Sequence, residues 1–197
     1  MLRELSPGFE HIYVSTGATF DREVVYASSI LKQYAKDFTL MQCTTIYPTL
    51  LSQINLDRLK FLSELTGNFG FSDHSATDKN PLIASKLALY HGAKVIERHF
   101  TILRSDETKD GPVSINAVEL DELVRFSKLN KEDQYNHFKN ENINPNEFVT
   151  NKYIEKGLSE VELLNRDYYK DRFVSPLKRE DIYPKEYLTN YEETPLN

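Results

Sequence analysis

The chain has 197 residues, of which 40% are hydrophobic and 12% aromatic, with a formal net charge of −6 and an isoelectric point near 5.4. This composition is typical of a globular protein with enough apolar residues for a sizeable core, and it excludes wholesale disorder. The acidic balance argues against a protein that binds nucleic acid or a membrane surface through a broad basic face.

Short β-rich runs alternate with longer segments of helical spacing from His11 onward. Asp21 is a candidate N-cap of the first long helix, Pro81 fits a first helical position, and Gly92 fits the position just after a helix end. The predicted elements, in chain order, are the strand Ile12–Ser15, the helix Asp21–Ala35, the strand Phe38–Cys43, the helix Asn55–Leu65, the strand Asn68–Ser72, the helix Pro81–His91, the strand Lys94–Phe100 and the helix Ala117–Leu129.

This alternation predicts an α/β fold with a parallel sheet built from βα units. The strand ends at Ser15, Thr45, Ser72 and Glu97 are separated by 30, 27 and 25 residues, which suits one unit per repeat. A complete (β/α)₈ barrel takes roughly 250 residues. We therefore predict a partial TIM-type barrel of about four βα units over residues 1–130.

Residues 131–197 differ in character from the predicted half-barrel. They contain seven of the twelve tyrosines and one glycine, Gly157. Asn140–Asn151 is predicted as a polar loop, and Arg166–Arg172 and Pro176–Tyr191 as aromatic-rich irregular structure. We expect an irregular tail that packs against the half-barrel.

The cysteine and membrane signals favour a cytoplasmic protein. The single cysteine, Cys43, excludes an intramolecular disulfide, and its apolar surroundings favour a buried side chain over a nucleophile. No stretch approaches the roughly 18 consecutive apolar residues that a membrane span needs. Charged residues stand where a signal peptide would have its apolar region. We expect neither a membrane nor a nucleic acid as a partner.

Polar side chains recur two residues apart at three consecutive strand ends. The pairs are Thr45 and Tyr47, Ser72 and His74, and Glu97 and His99. Since alternate side chains of a strand share a face, all six can converge at the carboxyl ends of the strands, where α/β folds place active sites. Two imidazoles suit Mn²⁺ or Zn²⁺, with water and substrate as further ligands, and Asp73 or Glu97 could orient a histidine. The alternative is a pair of hydrogen-bonded histidines without a metal.

Four segments of the chain together resemble the sialic acid synthase family, which includes N-acetylneuraminate synthases and their legionaminate, pseudaminate and spore-coat relatives. The resemblance covers roughly residues 10 to 125. The segments are Ser15-Thr16-Gly17, Gln42-Cys43-Thr44-Thr45-Ile46-Tyr47-Pro48-Thr49, Gly70-Phe71-Ser72-Asp73-His74-Ser75 and Gly92-Ala93-Lys94-Val95-Ile96-Glu97-Arg98-His99-Phe100-Thr101.

The resemblance implies a metal-dependent condensation of phosphoenolpyruvate with an N-acetylated amino sugar such as N-acetylmannosamine, giving a nine-carbon keto acid. By resemblance, His74 and His99 match metal ligands, with Mn²⁺ expected and Mg²⁺ or Co²⁺ as alternatives. The residues that match substrate-binding positions are Ser15, Thr45, Tyr47 and Ser72. The residues that match catalytic positions are Glu97 and Tyr47.

The chain also departs from the family pattern. Family members begin with a half-barrel that supplies a glutamate and phosphate-binding lysines, and they end in an antifreeze-like domain that the tail here is too short to form. Thr45 stands where many members have Asn, and Val113 where many have Asp. We therefore expect the chain to associate with another copy or with a complementary amino-terminal half. The alternatives are a non-catalytic remnant or binding module of the same fold and a metal-dependent phosphoester hydrolase.

Overall fold

The computed structural model describes residues 1–149, 153, 155 and 157–169. Within this part of the chain, five strands form one parallel sheet in sequential order. The strands are β1 (Ile12–Ser15), β2 (Phe38–Cys43), β3 (Phe69–Asp73), β4 (Val95–Phe100) and β5 (Ser114–Ile115). The α-helices are α1 (Leu2–Leu5), α2 (Asp21–Tyr34), α3 (Arg58–Leu65), α4 (Ile83–Tyr90), α5 (Ala117–Ser127), α6 (Lys131–Asn140) and α7 (Glu160–Tyr169). Short 3₁₀ turns cover Ser6–Gly8, Leu51–Gln53, Gly111–Val113 and Pro145–Glu147.

The order of these elements confirms the predicted α/β fold and its parallel partial barrel. Helices α2, α3 and α4 each connect one strand to its parallel neighbour, which is the βα repeat. The last unit differs from the prediction, because a fifth strand stands between β4 and α5. Ser114 and Ile115 pair with His99 and Phe100 and extend the sheet beyond β4.

Two predicted helices start later than expected, and a third starts as predicted but has a different N-cap. Asp21 is not the N-cap of α2: Phe20 takes that position, and the side chain of Glu23 accepts its backbone N–H at 2.9 Å. Helix α3 begins at Arg58, because Asn55 adopts the left-handed conformation with φ +49° and cannot continue a helix. Helix α4 begins two residues after Pro81 and ends before Gly92, whose φ of +96° suits glycine.

The expectation of irregular structure after residue 130 is wrong for two segments. Helix α6 is capped by Asn130, which accepts the backbone N–H of Asp133, and it buries Phe138 against Phe126 with ring centroids 5.6 Å apart. Helix α7 includes the first four residues of the predicted irregular segment Arg166–Arg172. Pro176–Tyr191 lies outside the described residues, and the domain boundary at residue 130 stays a prediction.

The two faces of the sheet have different chemistry. On the helix-covered face, apolar side chains form the core, with Leu31, Leu40, Leu62 and Leu87 fully buried. On the opposite face, which corresponds to the inside of a barrel, strand register aligns polar residues. Cys43 pairs with Ser72, and Ser72 with Glu97. This inner face carries the candidate site.

Both edge strands of the sheet, β1 and β5, have one free edge in the part of the chain that the structure describes. There, β1 pairs with β2 alone and β5 with β4 alone. Parallel sheets are normally closed or covered, so an open half-barrel leaves backbone donors and acceptors available along β1. Among the described residues, no helix is both long enough and apolar enough to cross a membrane.

Candidate active site

Two histidines meet at the carboxyl ends of β3 and β4. His74 follows β3 directly, and His99 lies two residues after Glu97 on β4. Their ring centroids are 5.2 Å apart, with the ring planes at 71°. Strand periodicity accounts for this meeting, because His74 and His99 lie two residues beyond Ser72 and Glu97, which are register partners.

His74 is buried and held as a neutral imidazole. Its Nδ1 lies 3.2 Å from the backbone oxygen of Thr44, and its Nε2 lies 2.9 Å from the hydroxyl of Tyr47. A carbonyl can only accept, so Nδ1–H donates to Thr44 and Nε2 accepts from Tyr47. Burial, with an opposing contribution from the Thr44 hydrogen bond, lowers the pKa of His74. The lone pair of Nε2 therefore points at the Tyr47 hydroxyl.

Tyr47 lies beside both imidazoles. Its ring centroid is 4.1 Å from that of His74 and 5.9 Å from that of His99. The Nδ1 atom of His99 lies 3.6 Å from a carboxylate oxygen of Asp110, and its side chain is 31% exposed. Asp110 thus lies close to the more accessible of the two histidines.

Below the histidines, the inner face carries a hydrogen-bonded row. The Ser72 hydroxyl donates to Glu97 Oε1 at 2.6 Å. The side chains of Ser15 and Ser72 both hydrogen-bond to the thiol of Cys43, which is buried as expected, and burial raises the pKa of that thiol. A protonated thiol suits a packing role. Through its hydrogen bonds, Cys43 links Ser15 on β1 to the Ser72–Glu97 pair.

Thr45 approaches this row through the turn that follows β2. Its side-chain oxygen is buried and has no hydrogen-bond partner among the described residues, and its backbone oxygen accepts from Asn165 of α7 at 2.5 Å. Gly17 makes the approach sterically feasible. A Cβ there would lie 2.5 Å from Thr45 Cγ2 and 2.8 Å from Cys43 Sγ. The structure thus brings all six predicted strand-end residues and Ser15 to one end of the sheet.

The donor set fits a divalent ion held by two imidazoles. With metal–nitrogen bonds of about 2.1 Å, two rings that share an ion have centroids about 5 Å apart, which agrees with the observed separation. Within the described residues there is no group of three or more His, Cys, Asp or Glu side chains arranged for a metal. Water and substrate would complete the coordination, and Tyr47 would have to release Nε2 of His74.

The prediction that Asp73 or Glu97 orients a histidine ring differs from the contacts in the structure. Asp73 makes no described hydrogen bond to the His74 ring: its carboxylate contacts Arg98, at 2.5 Å, and Ser85 on the helix-covered face. Glu97 contacts Ser72 rather than either imidazole in the contacts that the structure describes. The orienting group of His74 is instead the backbone oxygen of Thr44.

Two buried arginines near the site were not predicted. Arg58 of α3 donates to the backbone oxygens of Thr16 and Thr19 and to the carboxylate of Asp21. Arg58 lies one helical turn before the buried Leu62 on the same face of α3, and this spacing could have indicated its burial. Arg166 of α7 donates to Glu23 and to the backbone oxygen of Ala18, so α7 is fixed onto the start of α2.

A separate cavity of about 240 Å³ lies between the turn after β1, the turn after β2 and the segment before α7. Cys43 and Thr44 contribute to its wall, and neither histidine does. Arg58 lines it, but the donors of Arg58 are engaged by Asp21, Thr16 and Thr19. The histidine pair, rather than this cavity, is therefore the candidate active site.

Comparison with known proteins finds relatives over part or all of the chain. A pseudaminic acid synthase of Campylobacter jejuni is 34% identical over 113 residues, covering 56% of this chain and 32% of the relative. An N,N'-diacetyllegionaminic acid synthase of the same species is 30% identical over 213 residues, covering 99% of this chain and 61% of the relative. The chain therefore spans about one third to three fifths of these two relatives.

Solved structures and the family profile complete the comparison. The crystal structure of a spore coat polysaccharide biosynthesis protein from Bacillus subtilis superposes with a TM-score of 0.64 at 24% identity, covering 82% of this chain and 44% of that chain. This likeness shows the shared fold. The NeuB family profile matches residues 1–137 and so includes all the site residues from Ser15 to His99. The chain belongs to the NeuB family.

Proposed function

We propose that this chain forms the carboxyl-terminal part of a metal-dependent synthase, which joins phosphoenolpyruvate to an N-acetylated amino sugar and yields a nine-carbon keto acid. The observation that carries the proposal is the pair of imidazoles, His74 and His99, with their ring centroids 5.2 Å apart beside Tyr47. The relatives named as synthases of pseudaminic and legionaminic acids support it. A cytoplasmic location is part of the proposal.

His74 and His99 would hold Mn²⁺, with Mg²⁺ or Co²⁺ as alternatives. A bound divalent ion would polarise the aldehyde of the open-chain sugar. The Tyr47 hydroxyl now donates to Nε2 of His74, the nitrogen that would bind the ion. Once Tyr47 turns away from Nε2, its hydroxyl is available to a substrate oxygen. This gives Tyr47 both a binding and a catalytic role.

Glu97 is the proposed base of the site. Its side chain is exposed on the inner face, and the Ser72 hydroxyl fixes Oε1 at 2.6 Å. A fixed carboxylate at a solvent-facing position can take the proton of the water that adds to phosphoenolpyruvate. The hydroxyls of Ser15, Thr45 and Ser72 would hold the substrates by hydrogen bonds. The Thr45 hydroxyl, for which the described part of the chain offers no hydrogen-bond partner, can both donate and accept in such a contact.

The charge of the inner face supports the proposal that a partner completes the site. Phosphoenolpyruvate carries a phosphate and a carboxylate, whereas the row of Ser15, Cys43, Ser72 and Glu97 adds a negative charge and no positive one. Apart from the proposed divalent ion, cations that neutralise the substrate would therefore come from elsewhere. We propose that a complementary half-barrel, or a second copy of the chain, docks at the open sheet and supplies them.

Turnover is the direct test. The full chain is incubated with phosphoenolpyruvate, N-acetylmannosamine and Mn²⁺, alone and with a separately produced amino-terminal half of a related synthase. We expect keto acid and phosphate in equal amounts when the half is present. Glu97→Gln should lower turnover by about 10²-fold or more, while Glu64→Gln on the exposed side of α3 should leave it unchanged.

The alternatives predict different results in the same assay. A binding module would bind Mn²⁺ and the assembled half without forming product. A phosphoester hydrolase would release phosphate from a simple ester without any sugar. Full turnover by His74→Ala or His99→Ala would contradict the proposed roles of the histidines.

A further inference from the structure

Each histidine of the site is preceded by a charged residue, and the two charges are opposite. Asp73 precedes His74, and Arg98 precedes His99. Neighbouring side chains on a strand point to opposite faces, so Asp73 and Arg98 lie on the helix-covered face, directly behind the imidazoles. The two residues are register partners of β3 and β4. The charge pair and the histidine pair therefore occupy the two faces of the same strand ends.

Asp73 and Arg98 form a buried ion pair. Arg98 Nη1 lies 2.5 Å from Asp73 Oδ1, and the exposed fractions of the two side chains are 3% and 0%. The carboxylate also accepts the backbone N–H of Ser75 at 2.8 Å and the hydroxyl of Ser85 at 2.5 Å. Three donors, one of them charged, thus converge on a carboxylate that water does not reach.

The arginine fixes the segment on the far side of His74. It donates to the hydroxyl and the backbone oxygen of Ser75, each at 2.9 Å, and to the backbone oxygen of Pro81 at 3.1 Å. The backbone of His74 therefore lies between two residues, Asp73 and Ser75, that are both held by an arginine of the neighbouring strand. A shift of β3 along β4 would break all of these contacts together.

We propose that Asp73 and Arg98 are positioning residues that set the separation of the His74 and His99 rings. Neither touches the inner face, so they act through the backbone of the histidines. A buried ion pair often contributes little net stability relative to apolar residues of similar volume, but its hydrogen bonds fix relative geometry. The proposal rests on the proposed metal-dependent function, because ring separation decides whether both imidazoles reach one ion.

Conservative variants of the full chain test this proposal. Asp73→Asn keeps the hydrogen-bond acceptor and removes the charge, and Arg98→Lys keeps the charge and removes the planar set of donors. Lys86→Met is the matched control, because Lys86 is also a buried cation of the helix layer and pairs with Glu122 at 2.7 Å, away from the strand ends. Circular dichroism first establishes that each variant is folded.

Two measurements follow, namely the Mn²⁺ dissociation constant by electron paramagnetic resonance and the ¹⁵N imidazole spectrum of the metal-free protein. We expect Asp73→Asn and Arg98→Lys each to weaken Mn²⁺ binding by about 10- to 100-fold, and to alter the imidazole signals of His74. Lys86→Met should change the dissociation constant by less than about threefold.

Wild-type Mn²⁺ affinity in the folded Asp73→Asn and Arg98→Lys variants would overturn the proposal. If the wild-type chain itself binds no Mn²⁺, the proposed metal site fails, and the metal-free spectra alone decide the positioning role. Unchanged imidazole signals in both variants would then reject it.

Discussion

Replacing Arg58 by methionine should remove a large part of the stability of the half-barrel. The guanidinium lies in a buried pocket, and the residue is 6% exposed. It donates to Asp21 Oδ1 at 2.9 Å, to the backbone oxygens of Thr16 and Thr19 at 2.9 and 3.1 Å, and to Gln42 Oε1 at 3.1 Å. One side chain thus joins α3 to β2 and to the turn after β1.

The magnitude follows from what the substitution leaves behind. In Arg58→Met, the Asp21 carboxylate keeps one observed partner, the hydroxyl of Tyr153 at 2.6 Å, and loses its counter-charge. Breaking a buried pair by removing one partner costs about 3–5 kcal/mol. Because small domains are stable by about 5–15 kcal/mol, this is a substantial fraction of the free energy of unfolding.

Urea denaturation followed by circular dichroism measures this loss. The double variant Arg58→Met/Asp21→Asn should recover about 1–2 kcal/mol of the loss, because the stranded charge is gone. Arg125→Met is the control: Arg125 is 69% exposed and pairs with Asp121 on the surface of α5, so we expect a loss below about 0.5 kcal/mol. A loss below about 1 kcal/mol for Arg58→Met, or strict additivity in the double variant, would refute the reasoning.

Two further predictions concern the sheet and its outer helices. A Cβ at Gly70 would lie 2.5 Å from both the backbone oxygen of Val95 and the Sδ of Met41, so Gly70→Ala should cost about 1–3 kcal/mol in urea denaturation. Gly67→Ala, with no atom within 4 Å of its Cβ, is the control that should be neutral, and equal losses would contradict the packing argument. Burial lowers the pKa of folded His91. Below about pH 6.5 the unfolded chain therefore takes up a proton that the folded chain does not, and the free energy of unfolding decreases as the pH is lowered. In His91→Gln, the free energy of unfolding should decrease less between about pH 7.5 and 5.5 than in the wild type. An unchanged pH slope would contradict this assignment.

The sequence was sufficient for features that depend on local periodicity. The two-residue repeat of a strand places Ser72 with His74 and Glu97 with His99, and the spacing of the strand ends predicts parallel neighbours in sequential order. The meeting of His74 and His99 needs no more than these two facts. For the same reason the parallel half-barrel could be predicted from 130 residues of alternating pattern.

Features that depend on long-range or loop geometry could not be predicted. Asp is a residue type that favours the N-cap position, but the Asp21 carboxylate accepts a hydrogen bond from Arg58, which lies 37 residues away in the sequence. The donation from Tyr47 to His74 depends on the path of the turn after β2. Helix α6 is polar apart from a few residues, and it is stabilised by packing of Phe138 that its own sequence does not reveal.

Binding of a divalent ion to the histidine pair is the decisive measurement for the proposed site. Because metal-ligating imidazoles must be neutral, Mn²⁺ is titrated at about pH 7.5. The full-length wild type is compared with His74→Ala, His99→Ala and the control His11→Ala, whose imidazole contacts Asp37 outside the site. We expect one ion per chain in the wild type and in His11→Ala, and loss of that ion in both site variants. Undiminished binding in His74→Ala and His99→Ala, or no binding by the wild type, would contradict it.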